Sequence, residues 1–429
     1  MSNHKLATQA LHAGQKIDGE TGARAVPVYS TTSYVFNDTD HAADLFALQA
    51  FGNIYSRLGN PTVDVLEQRI AALDGGAAAV AFASGMAAIT AVICTLAATG
   101  ENIVSSASLY GGTRTLFSHT LPRLGIESRF FDSNDTDAIA SLIDEKTKAV
   151  YIETIGNPKN DIPDIEKIAV IAREYGVPLI VDNTIPTPVQ CRPLEHGADI
   201  VVYSATKYLG GHGTHIAGVV VDSGKFDWKS GGKKWAQFND PDPSYHGIVF
   251  SDHFAPFGNI VLAAHLRTHW LRDTGACLSP WGAFLILQGI ETLHLRVPRH
   301  TENAAKVAAW LTTHPKIQSV NHPSLKSHPS HQTAQKYLDQ PGSPFLGFDL
   351  NGGIEAGKTV INSVTLASHL ANIGDAKTLI IHPASTTHQQ LTKDEQEQAG
   401  ITPGFIRLCV GIEDVDDIIG DLKQALDKV

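Results

Sequence analysis

Short apolar runs alternate with helix-like stretches from about residue 61 to residue 218. The runs at 78–83, 102–105, 149–153, 179–182 and 199–203 are nearly continuous in apolar residues, the signature of strands covered on both faces. Between them, 86–98 and 165–175 carry apolar residues at helical spacing. Alternating strand and helix predicts an α/β fold with a mostly parallel central sheet and flanking helices, its site beyond the carboxyl ends of the strands. The first sixty residues are turn-rich and read as an arm. From 222 to 252 the texture changes to Gly, Lys, Trp, Asp and Pro, which predicts a long excursion. Beyond about residue 281, the stretches 345–350 and 405–410 alternate as antiparallel strands with one solvated face do. The chain closes on an amphipathic helix over 414–426, with Val415, Ile418, Ile419, Leu422 and Leu426 on one side. The expected organisation is an arm over 1–60, a main domain over 61–280 and a smaller α+β domain over 281–429.

Composition narrows the class. With 43% hydrophobic and 18% charged residues over 429 positions, the chain has the balance of a folded protein of two or three domains. Its formal charge of −11 and the absence of a basic stripe argue against nucleic acid as a partner. No stretch reads as a signal peptide or membrane span, and the four cysteines are scattered. A cytoplasmic location with reduced thiols is expected.

The chemistry concentrates at 199–213, where an apolar run ends in Ser204, Thr206 and Lys207 and passes into glycines. A lysine at the mouth of a buried strand loses part of its preference for the charged form and becomes a usable amine nucleophile. Ser204 and Thr206 supply hydroxyls suited to a phosphate, and a lysine beside a phosphate is what a pyridoxal-phosphate (PLP) Schiff base requires. Ser84, Gly85 and Met86 stand where the first strand turns into a helix, a natural anion site. Asp182, at the end of a strand, suits either a protonated pyridine nitrogen or a local turn. Tyr110, before two glycines, suits stacking on a planar ring or ordinary packing. Arg57 and Arg407 suit phosphate, carboxylate or structural ion pairs.

Two other patterns point elsewhere. Gly352 to Thr359 spells G-x-x-x-x-G-K-T, but Glu355 would put a negative charge inside the cradle and no later strand supplies a magnesium carboxylate. A nucleotide site around Lys358 is therefore not expected. His212, His215, His382 and His388 lack a recognisable ligand spacing, and no metal is expected from them.

Taken in order from Tyr55-Ser-Arg57 to Arg407, these segments resemble the cystathionine γ-synthase-like family of PLP enzymes of cysteine and methionine metabolism, and the Lys207 segment matches its lysine signature throughout. The resemblance implies a fold-type I PLP enzyme, a homotetramer whose dimers share active sites. It implies a Schiff base on Lys207, which later moves protons, with Asp182 on the pyridine nitrogen, Tyr110 on the ring and Asn157 near the phenolic oxygen. The implied phosphate ligands are Ser84, Gly85, Met86, Ser204 and Thr206, with Tyr55 and Arg57 from a neighbouring subunit. Arg407, with Asn372, would bind substrate. The 222–252 excursion, the stretch 372–388 beginning at Asn372, and Gly112 in place of a cysteine resemble the O-acetylhomoserine sulfhydrylase branch. That branch implies γ-replacement of acetate by sulfide, giving homocysteine, in methionine biosynthesis; γ-elimination by a lyase, or a cystathionine γ-synthase, is the alternative.

Overall fold

A computed structural model describes residues 4–387, 389, 393, 396 and 400–429. Seven strands form the first sheet: β1 (Ala78–Phe82), β2 (Asn102–Ser106), β3 (Glu127–Phe131), β4 (Thr147–Glu153), β5 (Leu179–Asp182), β6 (Ile200–Ser204) and β7 (Gly218–Asp222). Their order is β1-β7-β6-β5-β4-β2-β3, and β7 alone runs antiparallel to its neighbours. Alternate residues of each strand enter two different cores. Ala79, Ala81, Val150, Ile152, Val181 and Val201 pack beneath the helices Pro61–Asp74 and Ile165–Glu174. Val80, Phe82, Ala149, Tyr151, Ile180 and Val202 pack under the helix Gly85–Leu96. Both faces are therefore dry, as the unbroken apolar runs require.

The five expected strands are present within one or two residues at each end, but two more complete the sheet. β3 is an edge strand, with only Phe131 buried, so no continuous apolar run announces it. β7 is a run of three valines closed by Gly218 and Asp222, and it turns back where the strand–helix alternation ends.

Excursion 222–252 is no open loop. Trp228, Trp235, Phe238, Tyr245 and Phe250 join the second core, with the Trp228 and Trp235 rings perpendicular at 5.1 Å. The arm contains the helices Leu6–His12 and Thr39–Phe46, the former lying against Pro61–Asp74.

A second sheet of β8 (Ile317–Asn321), β9 (Phe345–Leu350), β10 (Ser368–His369), β11 (Leu379–Ile381) and β12 (Phe405–Cys409) has the order β10-β11-β12-β9-β8. β9 and β12 pair antiparallel, as expected, but the expected solvated face is absent. Leu346, Phe348, Ile406 and Leu408 pack with Val307, Val360 and Leu422 from the helices Leu293–Leu311, Gly353–Ser363 and Val415–Leu426. The opposite face, through Phe345, Leu379 and Cys409, merges with the core of the first sheet. That contact turns Arg407, two residues before Cys409 and so on the same face, toward the first sheet. No helix among the described residues is long and apolar enough to cross a membrane.

At the end of Pro61–Asp74, the fully buried Asp74 accepts from Tyr203 Oη at 2.7 Å, and burial lifts its carboxyl to about 7. A raised folded pKa means that the native state keeps a proton which the unfolded chain releases from about pH 4 upward. Stability contributed here is present below pH 4 and is lost as pH rises toward 7. Asp74→Asn keeps the acceptor without the titration. The wild type should lose about 1–3 kcal/mol more than the variant between pH 4.5 and 7.5. Urea unfolding at the two pH values measures this, and equal losses would refute it.

Candidate active site

The carboxyl ends of β1, β4, β5 and β6 open onto one edge, because these strands point the same way. Ser84 caps the helix Gly85–Leu96 by accepting from Ala87 N at 3.1 Å. This leaves the Gly85 and Met86 amides without an intrahelical partner, pointing out of a helix N-terminus. Gly85 is required here: a Cβ would lie 2.8 Å from Ser204 Cβ at the end of β6. Gly218 is equally constrained, its Cβ falling 2.1 Å from the Ser84 carbonyl oxygen. Ser204 Oγ has no hydrogen-bond partner among the described residues and stands free beside the two amides. Thr206 Oγ1 is bonded within its own turn. Its hydroxyl donates to Ala217 O at 3.2 Å and accepts from Ala217 N at 3.0 Å, so it pins the turn that presents Lys207.

Lys207 Nζ donates to Asn372 Oδ1. Burial, and then the positive Arg407 nearby, lower its pKa, which increases the share of neutral amine. Arg407 donates from Nη1 to Asn157 Oδ1 at 3.1 Å and from Nη2 to Asn372 O at 3.2 Å. Its Nε is buried with no partner. An unsatisfied guanidinium nitrogen beside an amine is suited to an anion such as an α-carboxylate. Lys207, Asn372, Arg407 and Asn157 are thus one hydrogen-bonded cluster drawn from four distant stretches of sequence.

Asp182 ends β5 and is buried, with its carboxyl raised by desolvation. It accepts from Tyr151 Oη at 3.2 Å and from Thr184 N at 3.0 Å, so the turn role and a buried, cation-seeking carboxylate coexist. Thr184 Oγ1 in turn accepts from Ser204 N at 2.8 Å, tying the Asp182 turn to the hydroxyl that faces the helix N-terminus.

Tyr110 is half exposed, and its backbone amide donates to Glu153 Oε1 at 2.6 Å. Its ring lies against Gly112, where a Cβ would come within 2.5 Å of Cε1. Tyr55 and Arg57 are not drawn into the Lys207 cluster. Arg57 donates to Arg272 O and rests 5.4 Å over the Tyr55 ring.

Three groups were not singled out from sequence. Glu153 lies across from Asp182 in the β4–β5 register, and burial followed by the Asp182 charge raises its carboxyl far above the usual range. Its signal was available: like Asp182, it closes an apolar run at a carboxyl end. Tyr151 reads in sequence as ordinary core. The thiol of Cys409, also raised by burial, contacts Asn372 O at 3.7 Å and follows Arg407 at strand spacing.

The remaining candidates lie elsewhere. Gly357 and Lys358 are inside the helix Gly353–Ser363, and Lys358 pairs with Glu355 at 2.8 Å on the surface, so no phosphate cradle forms. His212 bonds to Gly210 O, and His382 bonds to Ser385 Oγ and Pro403 O. His215 packs at Gly282. His388, the end of the 372–388 stretch, lies outside the described residues.

A partly buried lysine amine, a helix N-terminus facing a free serine hydroxyl, and a cation-seeking carboxylate, all at one sheet edge, define a PLP-type site. The residues fit that cofactor at each of its poles: the Gly85–Met86 cradle for phosphate, Asp182 for the ring nitrogen and Lys207 for the aldehyde carbon. Residues 7–427 match the family described as Cys/Met metabolism PLP-dependent enzyme, and this chain belongs to it. It is 54% identical over 428 residues to a homocysteine synthase of Schizosaccharomyces pombe, covering 100% of this chain and 99% of that one. An O-acetyl-L-homoserine sulfhydrylase of Leptospira meyeri is 53% identical over 433 residues, with 100% and 98% covered. Among solved structures, a putative O-acetylhomoserine (thiol)-lyase of Campylobacter jejuni, crystallised with N'-pyridoxyl-lysine-5'-monophosphate, has a TM-score of 0.95 at 43% identity. That similarity covers 99% of this chain and 100% of the other.

Gly85→Ala tests the cradle. The added methyl must push the helix N-terminus away from Ser204, and retention of PLP through dialysis, read from the cofactor's absorbance, should weaken at least about tenfold, ~1.4 kcal/mol. Undiminished retention would show that the cradle is not the phosphate site.

Proposed function

We propose that this chain catalyses γ-replacement, converting O-acetyl-L-homoserine and sulfide into L-homocysteine and acetate. The observation that carries this reading is the Lys207–Asn372–Arg407 cluster: a partly neutral amine next to an arginine with an unused nitrogen. The full-length likeness to relatives named homocysteine synthase and O-acetyl-L-homoserine sulfhydrylase supports the choice of substrate.

Bound PLP supplies an electron sink for charge that develops at the substrate's Cα. Lys207 Nζ would hold the cofactor when no substrate is bound and would be a free amine once substrate is in place. The released amine stays near Asn372 Oδ1 and takes the proton from Cα. Arg407 Nε and Nη2 receive the α-carboxylate and fix Cα within reach of that amine, while Asn157 holds the guanidinium at its other end. Asp182, kept dry beside Tyr151, would favour a protonated ring nitrogen. Tyr110 would lie against the ring and offer its phenol for proton transfer. A second proton then leaves Cβ, acetate departs from Cγ with its bonding pair, hydrosulfide adds at Cγ, and protons return to both Cβ and Cα, with Lys207 Nζ the group placed to carry them. Acetate departs without a strong acid, so the site requires no dedicated acid at Cγ.

Ser84, Gly85, Met86 and Ser204 hold the phosphate in this reading, with Thr206 securing the turn. Tyr55 and Arg57 complete the phosphate site of a neighbouring subunit in a homotetramer working in the cytoplasm. The exposure of Tyr55, and the absence of any bond from either residue to their own chain's cluster among the described residues, supports that assignment. Gly112 supports replacement over elimination: a cysteine there would displace the Tyr110 ring.

The PLP-loaded protein should form homocysteine from O-acetyl-L-homoserine and sulfide, with little 2-oxobutyrate from L-methionine alone. Ketoacid as the main product would move the chain to the γ-lyases. Lys207→Ala should lower turnover by roughly 10³-fold or more while leaving PLP bound noncovalently, and full activity in that variant would overturn the mechanism.

A further inference from the structure

The excursion 222–252 carries a second constellation that the proposed reaction does not use. Asp242, His265 and His269 place one ligand atom each within 4.8 Å of one another. Asp242 comes from the excursion, and the two histidines, four residues apart, from the helical segment beneath it. His265 leads into a π-helical stretch, Leu266–Leu271, that contains His269. Such widened turns recur at functional sites. Asp242 and His265 are each 8% exposed.

The surroundings are built to hold these groups. Asp242 Oδ1 is fixed by Ser244 N at 2.7 Å, and its backbone amide donates to Ile248 O at 2.9 Å. The free oxygen, Oδ2, therefore faces His269 Nε2, 2.9 Å away. Thr268 Oγ1 donates its hydrogen to Ala264 O at 2.8 Å and so accepts from His269 Nδ1 at 3.1 Å, orienting the ring through its far nitrogen. An ion pair between His269 and Asp242 would account for this much. It leaves His265 unexplained, since its Nδ1 is buried and has no hydrogen-bond partner. Its ring is stacked on His269 at 4.0 Å and enclosed by Phe238 and Phe250. A buried imidazole nitrogen without a partner is costly to the fold, and a ligated ion removes that cost.

We propose that Asp242, His265 and His269 form a binding site for one divalent transition-metal ion. Two imidazoles and one carboxylate with a fourth position open suit zinc. Ligands held at ~2.0–2.1 Å in tetrahedral geometry lie about 3.3 Å apart, so the pair at 2.9 Å opens slightly and the His265 ring tilts off its stack. The ion clamps the excursion onto the helix below. It also lies on a chain of contacts toward the phosphate-site candidates: Tyr245 Oη donates to Thr268 O, Arg272 Nη1 donates to Tyr245 Oη, and Arg57 donates to Arg272 O.

Calorimetric titration of the PLP-loaded protein with zinc chloride should give about one tight equivalent per chain. Anomalous scattering from zinc-soaked crystals should place the ion between the three side chains. His265→Phe preserves the ring stack without the nitrogen and should weaken that equivalent at least tenfold; Asp242→Asn provides a second variant should the first fail to fold. Absence of binding, a peak only at other histidines, or affinity unchanged in these variants would overturn the site. In that case His265 is a core ring, and His265→Phe should raise the melting temperature with or without zinc.

Discussion

At Gly85, Gly218 and Gly374, stretches of chain far apart in sequence approach so closely that an added Cβ would sit 2.1–2.8 Å from neighbouring atoms. Gly374 presses on the Tyr208 amide and the Lys207 carbonyl carbon, just past Asn372. Gly218 lies beneath the Ser84 carbonyl, and Gly85 against Ser204. These approaches put the helix N-terminus, the lysine turn and the Asn372 segment in one small volume. Side chains could not do this, because each would hold its backbone several ångströms away. Helix dipole, amine and amide contacts all depend on that proximity.

Charge is distributed around this volume in two opposed groups. On one side, Asp182, Glu153 and Asp161 are buried together, and desolvation raises each carboxyl. On the other, Lys207 and Arg407 lie side by side, with the lysine's charged form disfavoured. Among the described residues no cation faces Asp182 or Glu153, and no carboxylate pairs with Lys207 or Arg407. A cofactor with a protonated ring nitrogen at one end and a phosphate at the other, together with a substrate carboxylate, answers both needs. The protein bears the cost of these unfavourable burials in its folded state, in the manner usual for sites that must shift the reactivity of their groups.

Much of this was legible in sequence because two signals agree. Unbroken apolar runs located β1, β2, β4, β5 and β6, and the residues at their carboxyl ends are those that line the site. What escaped has physical reasons. β3 and β8 are edge strands with little buried surface and hence weak patterning. The second sheet alternates in sequence yet is buried on both faces, since one face packs on another domain-sized core and not on water. Glu153 was visible by the rule that identified Asp182. The excursion was legible from the Gly, Pro and Asp that mark its turns, while its buried aromatics are spaced too irregularly to announce how it packs. His265 and His269 carry a four-residue spacing that only the fold brings to Asp242.

Arg407 is bonded at one end to Asn157, beyond β4 of the first sheet, and at the other to Asn372, beside the second. The guanidinium therefore rivets the two sheets at the point where it has a nitrogen to spare. Swinging one sheet away from the other would break the Arg407–Asn157 bond in a water-poor setting. Substrate thus meets an arginine already aimed, and little of its binding energy need be diverted to ordering that side chain. Selectivity for an amino acid's carboxylate is in this sense a property of the joint between the two halves, set when the chain folds.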